Sequence, residues 1–163
     1  MYKIAKFMKV SAKQFEKDWE LAAANPYEEI KLPKRGTAGS AGYDFYSPLD
    51  FSLAPGEFIK IPTGIRAQME DGWVLALFPR SGQGFKYRLQ LYNTVGVIDA
   101  DYYGAANEGH IQIKIVNANE EGKVLEVKKG EAFAQGIFLP FGITEDDDAC
   151  EVRTGGFGST DGR

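Results

Sequence analysis

Five short stretches of this sequence combine glycine with side chains suited to an anion, a hydrated metal ion or a base. Ala41-Gly42-Tyr43-Asp44 sets a carboxylate at the start of an apolar run. Pro79-Arg80-Ser81-Gly82 places a fixed cation, a hydroxyl and an unshielded backbone side by side, as phosphate oxygens require. Asn93-Thr94-Val95-Gly96-Val97-Ile98-Asp99-Ala100-Asp101-Tyr102 reads as a hairpin carrying two carboxylates and an aromatic ring. Ala134-Gln135-Gly136-Ile137-Phe138 buries one amide in an apolar run, and the tail from Arg153 to Arg163 holds Gly155, Gly156, Gly158 and Gly162 with Phe157 as its one large apolar residue. Each stretch alone has an ordinary reading: a surface turn for Arg80-Ser81-Gly82, a strand-end carboxylate for Asp44 or Asp99, a buried amide for Gln135. Their co-occurrence and order are what point to chemistry.

The elements that must position them are mostly strands. From Ile30 onward, short apolar runs at 43–46, 57–61, 73–78, 111–116, 124–127 and 133–139 alternate with Gly, Pro, Asn and Asp. Ile111-Gln112-Ile113-Lys114-Ile115 puts its isoleucines on one face of a half-buried strand. Many short strands separated by turn signals predict an all-β, jelly-roll-like domain. One helix is expected ahead of it, over residues 11–24: Ser11 and Gln14 have capping-box spacing, Phe15, Trp19, Ala22 and Ala23 share a face, and Asn25-Pro26 ends the run. The tail, 153–163, is expected to be a mobile lid, and no linker or repeat divides the chain of 163 residues.

Composition narrows the possible partners. A net charge of −4 excludes a general nucleic-acid or membrane-surface binder, so an anionic ligand must be held at a local site. One cysteine, Cys150, and one histidine, His110, leave no internal disulfide, no thiolate zinc cluster and little scope for a Ser-His-Asp triad. A cytoplasmic protein is expected, since no apolar run reaches the length of a membrane span and the basic N-terminus continues into charged residues. The acidic run Glu145-Asp146-Asp147-Asp148 lacks the alternating spacing of a calcium loop and reads as a solvated turn.

In order and content the five stretches resemble the trimeric dUTPase (dUTP diphosphatase) family, from about Ile30 to the C-terminus. Gly39-Ser40-Ala41-Gly42-Tyr43-Asp44 matches the first family motif and Pro79-Arg80-Ser81-Gly82 the second. Gly96 to Tyr102 matches the third, Ala134 to Phe138 the fourth, and Gly156-Phe157-Gly158-Ser159-Thr160, with Arg153 ahead of it, the fifth. The resemblance implies a jelly-roll-like (β-clip) fold and a homotrimer that hydrolyses dUTP to dUMP and pyrophosphate with Mg²⁺, each site drawing on three chains. Asp99 would be the general base for water attack on the α-phosphate. Arg80, Ser81 and Gly82 would hold the phosphate chain, and Asp44 and Gln135 would act on the metal through water. Asn93, Gly96, Val97, Ile98 and Gln112 would read uracil, and Tyr102 would lie against the deoxyribose. Arg153, Phe157, Gly158, Ser159 and Thr160 would close over the nucleotide, with Phe157 stacked on the base.

Some features depart from that pattern. Ala132-Phe133 follows Gly130-Glu131 where the family often has an Arg, Arg153 stands one residue closer to Phe157, and Asp161 interrupts Ser159-Thr160-Gly162. Residues 105–109 are extra and predict a longer loop before His110, while the N-terminal helix is an addition outside the pattern. A dCTP deaminase, which has the same fold, needs a glutamate on the strand at 111–115, and none is present. A nucleotide-binding regulatory module is the other alternative; Asp99, Tyr102, Arg80, Gln135 and Phe157 together favour an enzyme.

Overall fold

The computed structural model describes residues 2–151 together with Arg153 and Gly155. It opens with strand β1 (Ala5–Lys9) and helix α1 (Ala12–Asp18), then a 3₁₀ turn at Tyr27–Glu29. There follow β2 (Lys34–Arg35), β3 (Tyr43–Tyr46), β4 (Phe51–Leu53), β5 (Phe58–Pro62), β6 (Ile65–Met69) and β7 (Trp73–Phe78). Helix α2 (Ser81–Tyr87), β8 (Leu89–Leu91), β9 (Gly96–Ile98) and a 3₁₀ turn at Ala100–Gly104 come next, followed by β10 (Gln112–Asn117), β11 (Leu125–Val127) and β12 (Ala132–Pro140). Every strand pairing is antiparallel. A five-stranded sheet runs β2-β3-β12-β7-β9, a three-stranded sheet β5-β10-β8, and β1-β6 and β11-β4 form two short ribbons.

The core lies between these sheets, and alternation along the strands decides which residues enter it. Ile61, Leu75, Ile113, Ile115 and Phe133 are fully buried, while Lys60 and Lys114 between them point outward. In β12 the pairing to β3 slips between Ala132 and Ala134. That bulge turns Ala132, Phe133 and Ala134 all inward and fixes which face Gln135 presents.

The N-terminal helix is shorter than the expected span of 11–24. Ser11 caps it, its Oγ accepting from Gln14 N at 3.1 Å, but the helix stops at Asp18. There the Trp19 indole N–H donates to the carbonyls of Ala22 and Ala24, both at 3.0 Å, and folds the alanines back as an exposed turn. Phe15 is the apolar anchor of the docking: it is fully buried, and its ring lies 5.3 Å from Trp19, 5.7 Å from Tyr27 and 5.9 Å from His110. Strands β1, β2, β4, β6 and β8 and helix α2 were not foreseen. Gly82 and Gly84 mask the second helix, because glycine opposes helix formation by about 1 kcal/mol per residue.

Candidate functional site

β12 is central to one half of the site because it pairs on both edges. Gln135 faces Asp44 of β3 on one side and Phe78 of β7 on the other. Gln135 Nε2 donates to Pro79 O at 3.0 Å, and Arg80 Nε lies 3.0 Å from Asp44 Oδ1. The backbone ladder thereby brings the first, second and fourth stretches together. Gly42 leaves room for the amide here: a Cβ on it would overlap Gln135 Oε1. Arg80 caps α2 without a side-chain bond to it, so its guanidinium is available to Asp44 or to an anion, and Ser81 and Gly82 lie exposed at the first turn. Gln83 Nε2 donates to Ala132 O at 3.2 Å and ties that turn to β12.

The second half is built on the other edge of β7, where β9 pairs Leu77 with Gly96 and Leu75 with Ile98. Gly96 allows that approach; a Cβ there would stand 3.0 Å from Leu77 Cβ. At the hairpin tip Thr94 has φ 71°, a left-handed conformation uncommon for a β-branched residue and a mark of stored strain. Asn93, Gly96, Val97, Ile98 and Gln112 line one cavity of about 250 Å³. The structure thus gathers the five residues expected to read a base.

Asp99 follows Ile98 and opens the 3₁₀ turn without capping it. Its Oδ2 accepts from Arg153 Nη2 at 2.7 Å, while Asp101 Oδ1 accepts from Arg153 Nε at 2.9 Å. The same guanidinium stands 5.9 Å from the Tyr102 ring, so Asp99, Asp101 and Tyr102 share one locality. Two carboxylates spaced to meet a planar guanidinium fork account for the placement of Arg153. Phe157, Gly158, Ser159 and Thr160 lie outside the described residues.

Tyr102 is 5% exposed, and burial raises its pKa above the ordinary 10.0. Its hydroxyl donates to His110 O at 2.9 Å and accepts from Asn107 Nδ2 at 2.8 Å. His110, which sequence reasoning set aside, is fully buried: Gly64 N–H donates to Nε2 at 2.8 Å, and Nδ1 lies 2.5 Å from Asp18 Oδ2. A ring nitrogen that accepts a backbone N–H carries no proton, so Nδ1–H faces Asp18 and the imidazole is neutral. Burial accordingly holds its pKa below the ordinary 6.5, against the pull of Asp18 and Glu108. No spacing rule marks Asp18, Asn107 or His110, because they meet only through tertiary contacts.

Arg80 and Asp99 lie apart along β7. Asp99 follows the residue opposite Leu75, and Arg80 follows Phe78 by two positions. From the level of Asp99 to the end of β7 is therefore roughly 13 Å of strand rise. Among the described residues, no group of three or more His, Cys, Asp or Glu is placed to hold a metal ion, and no helix is long and apolar enough to cross a membrane.

A family model described as dUTPase matches residues 28–161. A deoxyuridine 5'-triphosphate nucleotidohydrolase of Lactococcus lactis is 48% identical over 134 residues, 80% of this chain and 88% of that protein. One from Tolumonas auensis is 39% identical over 81% of this chain and 88% of its own length. Among solved structures, a dUTPase from Streptococcus mutans superposes with TM-score 0.66 at 36% identity, covering 85% of this chain and 98% of that one. The dUTPase of Staphylococcus aureus phage phi11, at 21% identity and TM-score 0.64 over 91% of this chain and 97% of its own, shares the fold.

Proposed function

Since this chain belongs to the dUTPase family, we propose that it hydrolyses dUTP to dUMP and pyrophosphate at sites shared between the subunits of a cytoplasmic homotrimer. The observation that carries the shared site is the separation of Arg80, past the Phe78 end of β7, from Asp99, which follows the residue paired with Leu75. Neither half suffices for a triphosphate nucleotide, and copies of the chain in rotation set one against the other. Val97, Leu139, Phe141 and Ile143 are exposed apolar residues suited to the contact between copies.

In this reading the uracil enters the hairpin cavity. Asn93, Gln112 and the main chain of Gly96, Val97 and Ile98 meet its donor and acceptor edge, and the tight hairpin rejects a methyl or exchanged amino group. The sugar rests against Tyr102. Arg80, Ser81 and the Gly82 N–H of a neighbouring copy hold the phosphate oxygens. Asp99 orients a water and takes its proton as the water oxygen bonds to the α-phosphorus. The bond from that phosphorus to the bridging oxygen breaks, and pyrophosphate leaves. Phe157, Gly158, Ser159 and Thr160 belong to the closing tail, and Arg153 is released from Asp99 as the phosphates arrive.

Asp44 and Gln135 lie side by side across β3 and β12 and, with Gln135 Nε2 donated to Pro79 O, offer carboxylate and amide oxygens beside Arg80. That donor set fits a hydrated hard cation carried mainly by the phosphates, and Mg²⁺ when bound would neutralise phosphate charge there. Pyrophosphate release from dUTP, dCTP, dTTP and UTP, with Mg²⁺ and with chelator, tests the proposal. Selective turnover of dUTP is expected, with a loss of about 10²–10⁴-fold in Asp99→Asn. Equal turnover of UTP, ammonia release from dCTP, or a fully active Asp99→Asn would overturn it.

A further inference from the structure

The two additions to the family pattern bind one another. Ser11, which caps α1, donates from its backbone N to Glu108 Oε2 at 2.7 Å and from Oγ to Glu108 Oε1 at 2.6 Å. Glu108 lies in the extra loop with φ 58°, and Arg66 reaches it at 4.0 Å. At the other end of α1, Asp18 Oδ2 accepts from Gln14 Nε2 at 2.7 Å and meets His110 Nδ1. The added loop thus holds the start of the helix, and His110, which follows the loop, holds its end.

That joint closes directly on Tyr102. Gly109, with φ 68°, brings the loop so near that a Cβ would stand 2.6 Å from Tyr102 O. His110 O and Asn107 Nδ2 hold the Tyr102 hydroxyl between them, and Asn107 Oδ1 is fixed by Gly109 N at 3.2 Å. The phenol proton goes inward to His110, and the ring lies 5.9 Å from the Arg153 guanidinium that Asp99 and Asp101 hold. A sugar 2′-hydroxyl pressed against such a ring would lose water without gaining a partner, and a ring free to tilt would admit it.

We infer that Asp18 and Asn107 are positioning residues for sugar selection: through His110 and directly, they lock the Tyr102 ring where it excludes a ribonucleotide. The inference rests on the proposed contact between Tyr102 and the deoxyribose. Its test is kcat/KM of the full-length protein for dUTP, UTP and dTTP in Mg²⁺. Asp18→Ala and Asn107→Ala should each reduce the dUTP/UTP preference by about fivefold or more, with the dUTP/dTTP preference unmoved, because the hairpin reads the methyl. Asp18→Asn, which still accepts from Nδ1–H, should restore most of the preference. Unchanged dUTP/UTP ratios in folded variants, or equal loss of both preferences, would overturn the assignment. Asn107→Ala leaves α1 untouched and decides the matter if Asp18→Ala does not fold. A Tyr102→Leu control separates the two failures: a normal dUTP/UTP ratio there refutes the sugar contact itself, whereas an altered ratio beside unaffected Asp18 and Asn107 variants refutes only the clamp.

Discussion

Gly42→Ala is a one-carbon perturbation whose consequence is readable in the site. The new Cβ would occupy the place of Gln135 Oε1 and stand 3.3 Å from its Cδ. Both atoms lie at the end of a flexible side chain, so the amide swings away and the backbone stays. The loss is the bond from Gln135 Nε2 to Pro79 O, worth about 0.5–1.5 kcal/mol. For a chain of this length that lowers Tm by roughly 2–4 °C per kcal/mol. Activity should fall further, because Gln135 would act on the metal through water, and such outer contacts typically matter by about 10–100-fold. Pyrophosphate release at graded Mg²⁺, beside thermal unfolding, separates the two: the Mg²⁺ dependence should shift to higher concentration while Tm moves by a few degrees. Gly39→Ala is the control, since nothing lies within 4 Å of its Cβ position. Full activity in Gly42→Ala, or destabilisation beyond about 3 kcal/mol, would refute the steric account.

Further outcomes follow from the same geometry. If Asp99 and Arg80 of different subunits complete each site, remixing equal amounts of inactive Asp99→Asn and Arg80→Ala trimers should restore about a quarter of wild-type sites; no recovery after verified subunit exchange would place both residues in one chain's site. His110 is neutral when folded and protonates near its ordinary 6.5 when unfolded, so stability is complete above that pH and declines as pH falls towards the depressed folded value, by at most about 1.4 kcal/mol per pH unit. Denaturant unfolding at pH 7.5 and 5.5 should show this slope, flattened in His110→Gln; an equal slope in that variant would remove His110 as its source. Thr94→Gly should relieve the left-handed strain and raise stability by up to about 1 kcal/mol, and a loss of stability would show that Thr94 makes a compensating contact.

Where pattern and packing agree, the fold was legible in advance. Tyr43–Tyr46, Trp73–Phe78 and Leu125–Val127 are strands close to the expected limits, and Ile111, Ile113 and Ile115 are all buried as their alternation requires. The helix read from Ser11 to Ala24 fails after Asp18 because Trp19 captures two carbonyls, a tertiary choice that overrides the helix propensity of Leu21-Ala22-Ala23. Asp44, Arg80 and Gln135 were legible as chemistry, but only the bulge in β12 and its double pairing reveal that they touch. The partners of Tyr102 were illegible, since a lone Asp18 and a lone His110, 92 residues apart, leave no periodic trace.

The bonds between Ser11 and Glu108 also tie together two segments that lie 97 residues apart in the chain. Without the loop, α1 would present a capping serine with no carboxylate above it. A loop gained without the helix would leave His110 and Glu108 facing solvent. The helix and the loop therefore depend on one another: removing either alone leaves the other without its partner.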